Sequence, residues 1–560
     1  MPENPPAEGR PVPPPWPADP RFDLLCGTIP AALLRTAERF PDVEATVDAT
    51  ARRTYRQLAD DALDAVSAMS ALGVRAGDRV AVWGPNTAGW VLAALGAQGA
   101  GAALLPLNTR YTGYEVLDIL RRAAPRLLLV TPEVAGRDLL ADLAGAGPLP
   151  PCVEAVVVLG GATRPGHVSW NDLLAGVPTG GRAVARGRIA RVGPDDISDI
   201  MFTSGTTGRS RGVVSRHGQS LRAHGYLGML LGLAPGERYL VIPPFFHSFG
   251  YKAGWMACLV HGATMLPVER YDADEVLHAV ERERITVLSG PPTLFVDLFA
   301  AAARSAFDLS SLRATIPSAA KVPAELIHRL HRDLGFETVL SGYGLTEATA
   351  LVTSCLPGDA AEDVAGTVGR PVPGVEISLV GPDGGQVPPG EAGELLVRGY
   401  VVSPGRWVDA SPDAPAALPP VADADGWLHT GDVAIRDERG YVRIVDRLTD
   451  MYVSGGFNVY PAEVELVLSG HSAVVAAAVV GVPDVRLGEV GVAYVVPGTA
   501  DSTEGLETEL VGWLRERVAH YKVPREVRIV PSLPRTAMMK IRKNVLRDAE
   551  RARRPPAGDI

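Results

Sequence analysis

The chain is poor in the features that mark several large classes of protein. Its four cysteines (Cys26, Cys152, Cys258 and Cys355) are scattered over 560 residues with no CxxC pair. No histidines stand at metal-ligand spacing, so neither a disulfide framework nor a zinc site is expected, and the usage fits a reducing cytoplasm. No apolar segment follows a basic start, and the longest apolar stretch, Trp90 to Leu107, is broken by Gly96, Gly99 and Gly101. A cytoplasmic protein without a leader or a membrane span is expected. Positive charge is not in excess either: 54 basic residues against 64 acidic ones leave a net −10. That balance is a poor match for nonspecific binding to nucleic acid or to an anionic membrane. What remains is an ordinary globular composition, 46% hydrophobic and 21% charged, on a chain too long for one core. Two or more domains are expected.

The most informative stretch is MFTSGTTGRSRGVV, residues 201 to 214. Ile200 to Thr203 reads as the end of a buried strand. Ser204-Gly205-Thr206-Thr207-Gly208 then places hydroxyl donors beside glycines whose backbone can approach an anion, with Arg209 and Arg211 nearby. This is a phosphate cradle with neither the GxxxxGK[ST] nor the GxGxxG spacing. Around it, strands and helices alternate. The apolar pattern predicts helices over Pro30–Phe40, Ala59–Leu72, Thr87–Ala100 and Thr112–Ala123, and strands over Asp78–Trp83, Ala103–Leu107 and Val241–His247. Such alternation predicts an α/β fold with parallel sheets covered by helices, and a ligand site at strand ends. Residues 136–190 are rich in Gly, Pro and Ala and read as loops with one short strand, Ala155–Leu159.

Residues 1–20, nearly half proline, predict a disordered tail. A small β region follows around Gly393–Gly399 and Asp425–Asp432. The last part reads as a small α+β unit, with strands Val474–Val482 and Val490–Val496 and a helix Glu504–Val518.

TSGTTG with its basic flank, SGYGLTE at 341–347, WLHTGD at 427–432, IVDRLTD at 444–450, SGGFNVYP at 454–461 and PRTAMMKIRK at 534–543 occur in that order. Together they resemble the adenylate-forming superfamily of acyl-CoA synthetases, aryl-CoA ligases, luciferases and peptide-synthetase adenylation domains. The strings LNTRYTGYEVLDIL, PFFHSFGYKAG and SGPPT are most similar to actinobacterial acyl-CoA ligases that activate the propionate side chain of degraded steroid rings. The resemblance implies a large N-terminal adenylation domain over 21–446, a hinge at 447–450, a small mobile lid over 451–548 and a tail at 549–560.

It also implies roles. Thr203, Ser204, Gly205, Thr206, Thr207, Gly208 and Arg211 would cradle the triphosphate of ATP. Ala319, Ala320, Tyr343 and Gly344 would border adenine, while Thr346 reaches phosphate and Glu347 holds Mg²⁺. Asp432 and Arg447 would bind ribose, and His247 would stand between the nucleotide and the acyl pocket. Lys540 would stabilise charge as a carboxylate attacks the α-phosphate. Ser454, Gly455 and Gly456 would line the path of a thiol, coenzyme A. The implied activity is ATP-dependent formation of acyl-AMP from a small carboxylic acid and transfer of the acyl group to coenzyme A. Arg211, Ser318, Thr449 and Met539 stand where the family usually has Lys, Gly, Lys or Asp, and Gly. Arg211, Thr449 and Met539 open a second reading, a diazotase-type relative that adenylates nitrite and couples it to an aryl amine in secondary metabolism; a nucleotide-binding scaffold without turnover is a third, of a different class.

Overall fold

The computed structural model describes residues 27–203, 210–303, 306–317, 322, 324–381, 383–408, 418–447, 452–459, 461–498, 505–534 and 541–553. Polar caps fix the first helices. Thr28 accepts from the Ala31 N–H at the start of Ile29–Arg39. Thr54 with Gln57, and Thr112 with Glu115, form reciprocal capping boxes ahead of Tyr55–Ala71 and Gly113–Ala123. The helix Ala88–Gly99 carries no charged residue and is buried nearly all round, as such a helix must be.

Two sheets form the frame. The first runs, edge to edge, Arg406–Trp407, Arg211–Arg216, Ile197–Thr203, Ala103–Leu107, Arg79–Trp83, Leu127–Val130, Ala155–Val158, Val168–Ser169. It is parallel except for the two antiparallel pairings made by Arg211–Arg216. The second runs Thr338–Val339, Ala314–Thr315, Val287–Ser289, Arg238–Val241, Thr264–Pro267, Glu44–Val47, Arg52–Thr54, antiparallel only at its last pair. Strand alternation assigns the layers. Val80 and Val82 share a core with Tyr239 and Val241 of the other sheet, and the helices Tyr55–Ala71, Ala88–Gly99 and His217–Leu230 fill the space between. Ala81 and Trp83 face Gly113–Ala123 and Leu139–Ala146 on one outer side. Leu240 faces Ala273–Glu283, Pro292–Ala302 and Ala324–Leu334 on the other. The body is thus five layers, helices alternating with sheets.

A four-stranded antiparallel sheet follows, ordered Val375–Val380, Ala392–Gly399, Leu428–Arg436, Val442–Arg447. The C-terminal domain has its own sheet of Phe457–Val459, Tyr452–Ser454, Gly488–Pro497 and Val474–Asp484, with Glu526–Ile529 parallel to Gly488–Pro497. Two separate apolar clusters line its faces.

Three expectations need correction. Residues 136–190 hold the helices Leu139–Ala146, Trp170–Ala175 and Gly181–Ile189. Alanine favours helix strongly yet blurs the apolar period that betrays one in sequence. The strand expected over Val241–His247 ends at Val241, because Pro243 and Pro244 bring no N–H to a ladder. The chain then winds into a π-helix, Phe249–Met256. Finally, the helix Lys543–Arg553 runs past 548, and Glu550 within the expected tail is fully buried, accepting from the Tyr494 hydroxyl at 2.5 Å.

Candidate active site

Thr338–Val339, Ala314–Thr315, Val287–Ser289 and Arg238–Val241 lie side by side and parallel. Their carboxyl ends therefore open along one edge of the sheet, where open α/β sheets bind ligands. The segments that leave them include Tyr343-Gly344-Leu345-Thr346-Glu347, Ser289-Gly290-Pro291-Pro292 and the turn that carries His247. Pro317, which leads into Ser318–Lys321, bridges Gly290 of the neighbouring strand end. Ala319 and Ala320 themselves lie outside the described residues.

The His247 turn is held by a buried side chain the sequence did not single out. Asn86 donates to the carbonyls of Val241, Ile242 and Pro243 at 3.3, 3.4 and 3.0 Å and accepts from the Phe245 N–H at 2.7 Å. The His247 Nδ1 accepts from the Phe249 N–H at 3.2 Å, which leaves the proton of a neutral ring on Nε2. His247 is solvent-accessible although protein surrounds it, as for a side chain lining a crevice, and that enclosure lowers its pKa.

In the Tyr343–Glu347 segment, Thr346–Ala348 forms a 3-10 turn closed by Thr349 and Ala350 at φ +54° and +61°. Non-glycine residues hold such φ only under constraint, and the constraints are visible. His224 Nε2 bonds the Thr349 carbonyl at 2.7 Å, and the Thr349 hydroxyl donates to Val401 O at 2.7 Å. Gly344 is obligatory, since a Cβ there would lie 2.2 Å from the Ala350 carbonyl. Ser403 links this turn to the strand returning from the cradle: its N–H donates to Glu347 O at 2.8 Å and its hydroxyl to Val214 O at 2.6 Å. The Tyr343 hydroxyl donates to Asp432 Oδ2 at 2.5 Å, so the YGLTE and TGD strings meet. Asp432 is buried and pairs in register with Arg447 across the antiparallel sheet.

Thr203 and Arg211 face each other at the end of an antiparallel pair, and the cradle residues Ser204, Gly205, Thr206, Thr207 and Gly208 between them lie outside the described residues. Further along these two strands is a buried ion pair. Lys252 of the π-helix sits 3.1 Å from Asp199 and donates to Ser215 Oγ at 2.7 Å, while the Ser198 hydroxyl donates to Asp199 at 2.7 Å. Both strands that flank the cradle are thereby tied to the helix that follows His247. A π-helix at such a junction is a frequent mark of a functional site.

Ser454, Gly455 and Gly456 form the turn between Tyr452–Ser454 and Phe457–Val459. Gly456, at φ +81°, rests on the SGPP turn so closely that a Cβ would lie 3.2 Å from Pro291 Cβ. Lys540 and Thr449 lie outside the described residues. Among the described residues no group of three or more His, Cys, Asp or Glu could hold a metal, and no helix is long and apolar enough to cross a membrane. A lone half-buried Glu347 suits Mg²⁺, which is commonly held by one or two carboxylates together with substrate phosphates.

Residues 33–407 match the family model of the AMP-binding enzymes, and residues 463–540 match that of the AMP-binding enzyme C-terminal domain. The chain is 47% identical to the 3-[(3aS,4S,7aS)-7a-methyl-1,5-dioxo-octahydro-1H-inden-4-yl]propanoyl:CoA ligase of Rhodococcus jostii, covering 94% of this chain and 99% of the relative. The Mycobacterium tuberculosis ligase of the same name is 46% identical, with 93% and 98% covered. A solved structure of o-succinylbenzoate CoA synthetase from Bacillus subtilis, bound to a product analogue, superposes with a TM-score of 0.75 at 26% identity, with 92% of this chain and 98% of that one covered. The strings in the sequence, the strand ends that gather them and these relatives agree: the chain belongs to the AMP-binding enzyme family.

Proposed function

We propose that the protein is an AMP-forming acyl-CoA ligase acting on a propionate carried by a fused-ring skeleton. The observation that carries the reaction type is the convergence of the His247, Gly290 and Tyr343–Glu347 segments at adjacent parallel strand ends, with Asp432 drawn in by Tyr343. Support for the acid comes from the two relatives at 47% and 46% identity, which span nearly their whole lengths. Those relatives favour carboxylate activation over adenylation of nitrite, and over a scaffold without turnover.

In the first step a carboxylate oxygen attacks the α-phosphorus of ATP. The O–P bond forms as the bond to the β-phosphate oxygen breaks, giving acyl-AMP and pyrophosphate. The cradle from Thr203 to Gly208, with Arg211, holds the triphosphate. Tyr343 presents an aromatic face to adenine beside Gly344, Ala319 and Ala320, while Asp432 and Arg447 take the ribose hydroxyls. Thr346 donates to phosphate, and Glu347 holds Mg²⁺, which supplies charge neutralisation at the phosphates. Lys540 stabilises the charge that develops on the α-phosphate. In the second step the thiol of coenzyme A passes Ser454–Gly456 and attacks the acyl carbonyl. AMP leaves with the bonding pair, and the thiol proton goes to solvent. His247, lining the crevice as a neutral ring, helps shape the acyl side. Cys152, Cys258 and Cys355 are free thiols, in keeping with a cytoplasmic enzyme.

The purified protein with Mg·ATP, coenzyme A and a panel of acids should yield an acyl-CoA by mass spectrometry only when acid and thiol are both present. A fused-ring propionate should be preferred to ferulate or a medium-chain fatty acid. Turnover that ignored coenzyme A and demanded nitrite plus an aryl amine would replace this reading. Lys540→Ala should slow acyl-AMP formation by about 10²- to 10³-fold, the usual range for one preorganised charge or donor.

A further inference from the structure

The C-terminal domain meets the body through an ion cluster that the scheme above leaves unused. Lys522, in the turn His520–Lys522, is 1% exposed. Its ammonium donates to Glu463 Oε1 at 2.6 Å on the domain's own helix Pro461–Ser469, and to Glu115 Oε1 at 3.0 Å on the body helix Gly113–Ala123. Further contacts of the seam lie on the same short body segment. The Arg110 guanidinium sits 3.9 Å over the Phe457 ring, and Phe457 packs on Tyr521 with centroids 4.6 Å apart. The Thr112 hydroxyl donates to Arg517 O at 3.3 Å, and Asn108 Nδ2 to the Tyr521 hydroxyl at 3.4 Å. Phe457 follows Gly456 directly, so this seam fixes how the Ser454–Gly456 turn lies against Pro291.

The cluster can come apart without stranding a charge. If the domain swung away, Lys522 would leave with Glu463 as a neutral pair. Glu115 would keep its second role, accepting from the Thr112 N–H at 2.9 Å as the cap of its helix. Only the contact between the two halves would be lost, which is what a reversible dock requires and a permanent core does not. We propose that Glu115 and Lys522 are positioning residues for the thioester-forming step, holding the C-terminal domain where the Ser454–Gly456 turn meets the acyl side of the site. This rests on the ligase reading and on the domain taking another orientation for adenylation.

Glu115→Gln separates the two roles of Glu115, because glutamine caps a helix as well as glutamate does but presents no charge to Lys522. Two rates decide the matter on the full-length protein: pyrophosphate release in a single turnover without coenzyme A, and conversion of preformed acyl-AMP by added coenzyme A. The first should stay within about twofold, while the second should fall about tenfold or more, the scale of a lost charge contact across an interface. Lys522→Arg alone, which keeps a cation opposite Glu115, should retain most of the second rate. Arg110→Gln, on the same seam but outside the ion cluster, should give the same split and serves if Glu115→Gln folds poorly. Equal losses in both steps, a loss confined to the first, or no loss in either would overturn the proposal. Wild-type protein unable to pass acyl-AMP to coenzyme A would instead sink the ligase reading, before any variant is compared.

Discussion

Tyr343 shows how much one hydroxyl organises. Its ring is the proposed adenine face, while its oxygen occupies one side of the buried Asp432 carboxylate at 2.5 Å. Tyr343→Phe keeps the face and removes a hydrogen bond to a charged group, worth about 1.5–3 kcal/mol. The KM for ATP should rise about tenfold or more while kcat stays within about threefold, because the lost contact orders Asp432, the proposed ribose partner, and not the reacting atoms. Steady-state kinetics at saturating acid would check this, and an unchanged KM would detach Tyr343 from the nucleotide. Tyr343, Asp432 and Glu347 were singled out in the sequence because each sits in a short string whose chemistry is local. Lys522 and Glu115 were not. They are 407 residues apart, and each alone reads as a solvated charge on a helix. Asn86 was hidden for a similar reason, since its four partners belong to a turn far along the chain.

Among elements, the junction of the π-helix Phe249–Met256 with the strands Ile197–Thr203 and Arg211–Arg216 bears most weight. Lys252 and Asp199 are both essentially unexposed. Removing one member of such a pair leaves a buried charge alone and costs about 3–5 kcal/mol, whereas an apolar pair of similar size can be neutral or better. Lys252→Met should therefore lower the urea midpoint strongly, and Lys252→Met with Asp199→Leu should recover most of the loss. A double variant as unstable as the single one would refute that account. Regular elements with a clear apolar period, such as Ala103–Leu107 and Gly113–Ala123, were readable from sequence alone. The π-helix was not, because two prolines and an aromatic run resemble the end of a strand until the tertiary contacts are known.

For the whole molecule, two histidines make stability sensitive to acid. His217 and His224 are buried in the body, and burial lowers both to about 3. Their folded pKa thus lies below the unfolded value of about 6.5. Above pH 6.5 both states are neutral and the contribution is complete. As pH falls the unfolded chain takes up the proton first, so stability is lost progressively from there toward pH 3. At pH 5 the loss is about 2 kcal/mol per histidine. His224→Gln, whose amide can still donate to Thr349 O, should flatten the fall in urea midpoint between pH 7.5 and 5. An unaltered slope would place the acid sensitivity elsewhere. Over longer times the Lys252–Asp199 pair carries another consequence. A lineage that replaces either residue first must cross a poorly folded intermediate, so descent should keep both or exchange both together. Among relatives the two positions should change as a unit, and the ion pair is in that sense an inheritance that drift alone cannot easily undo.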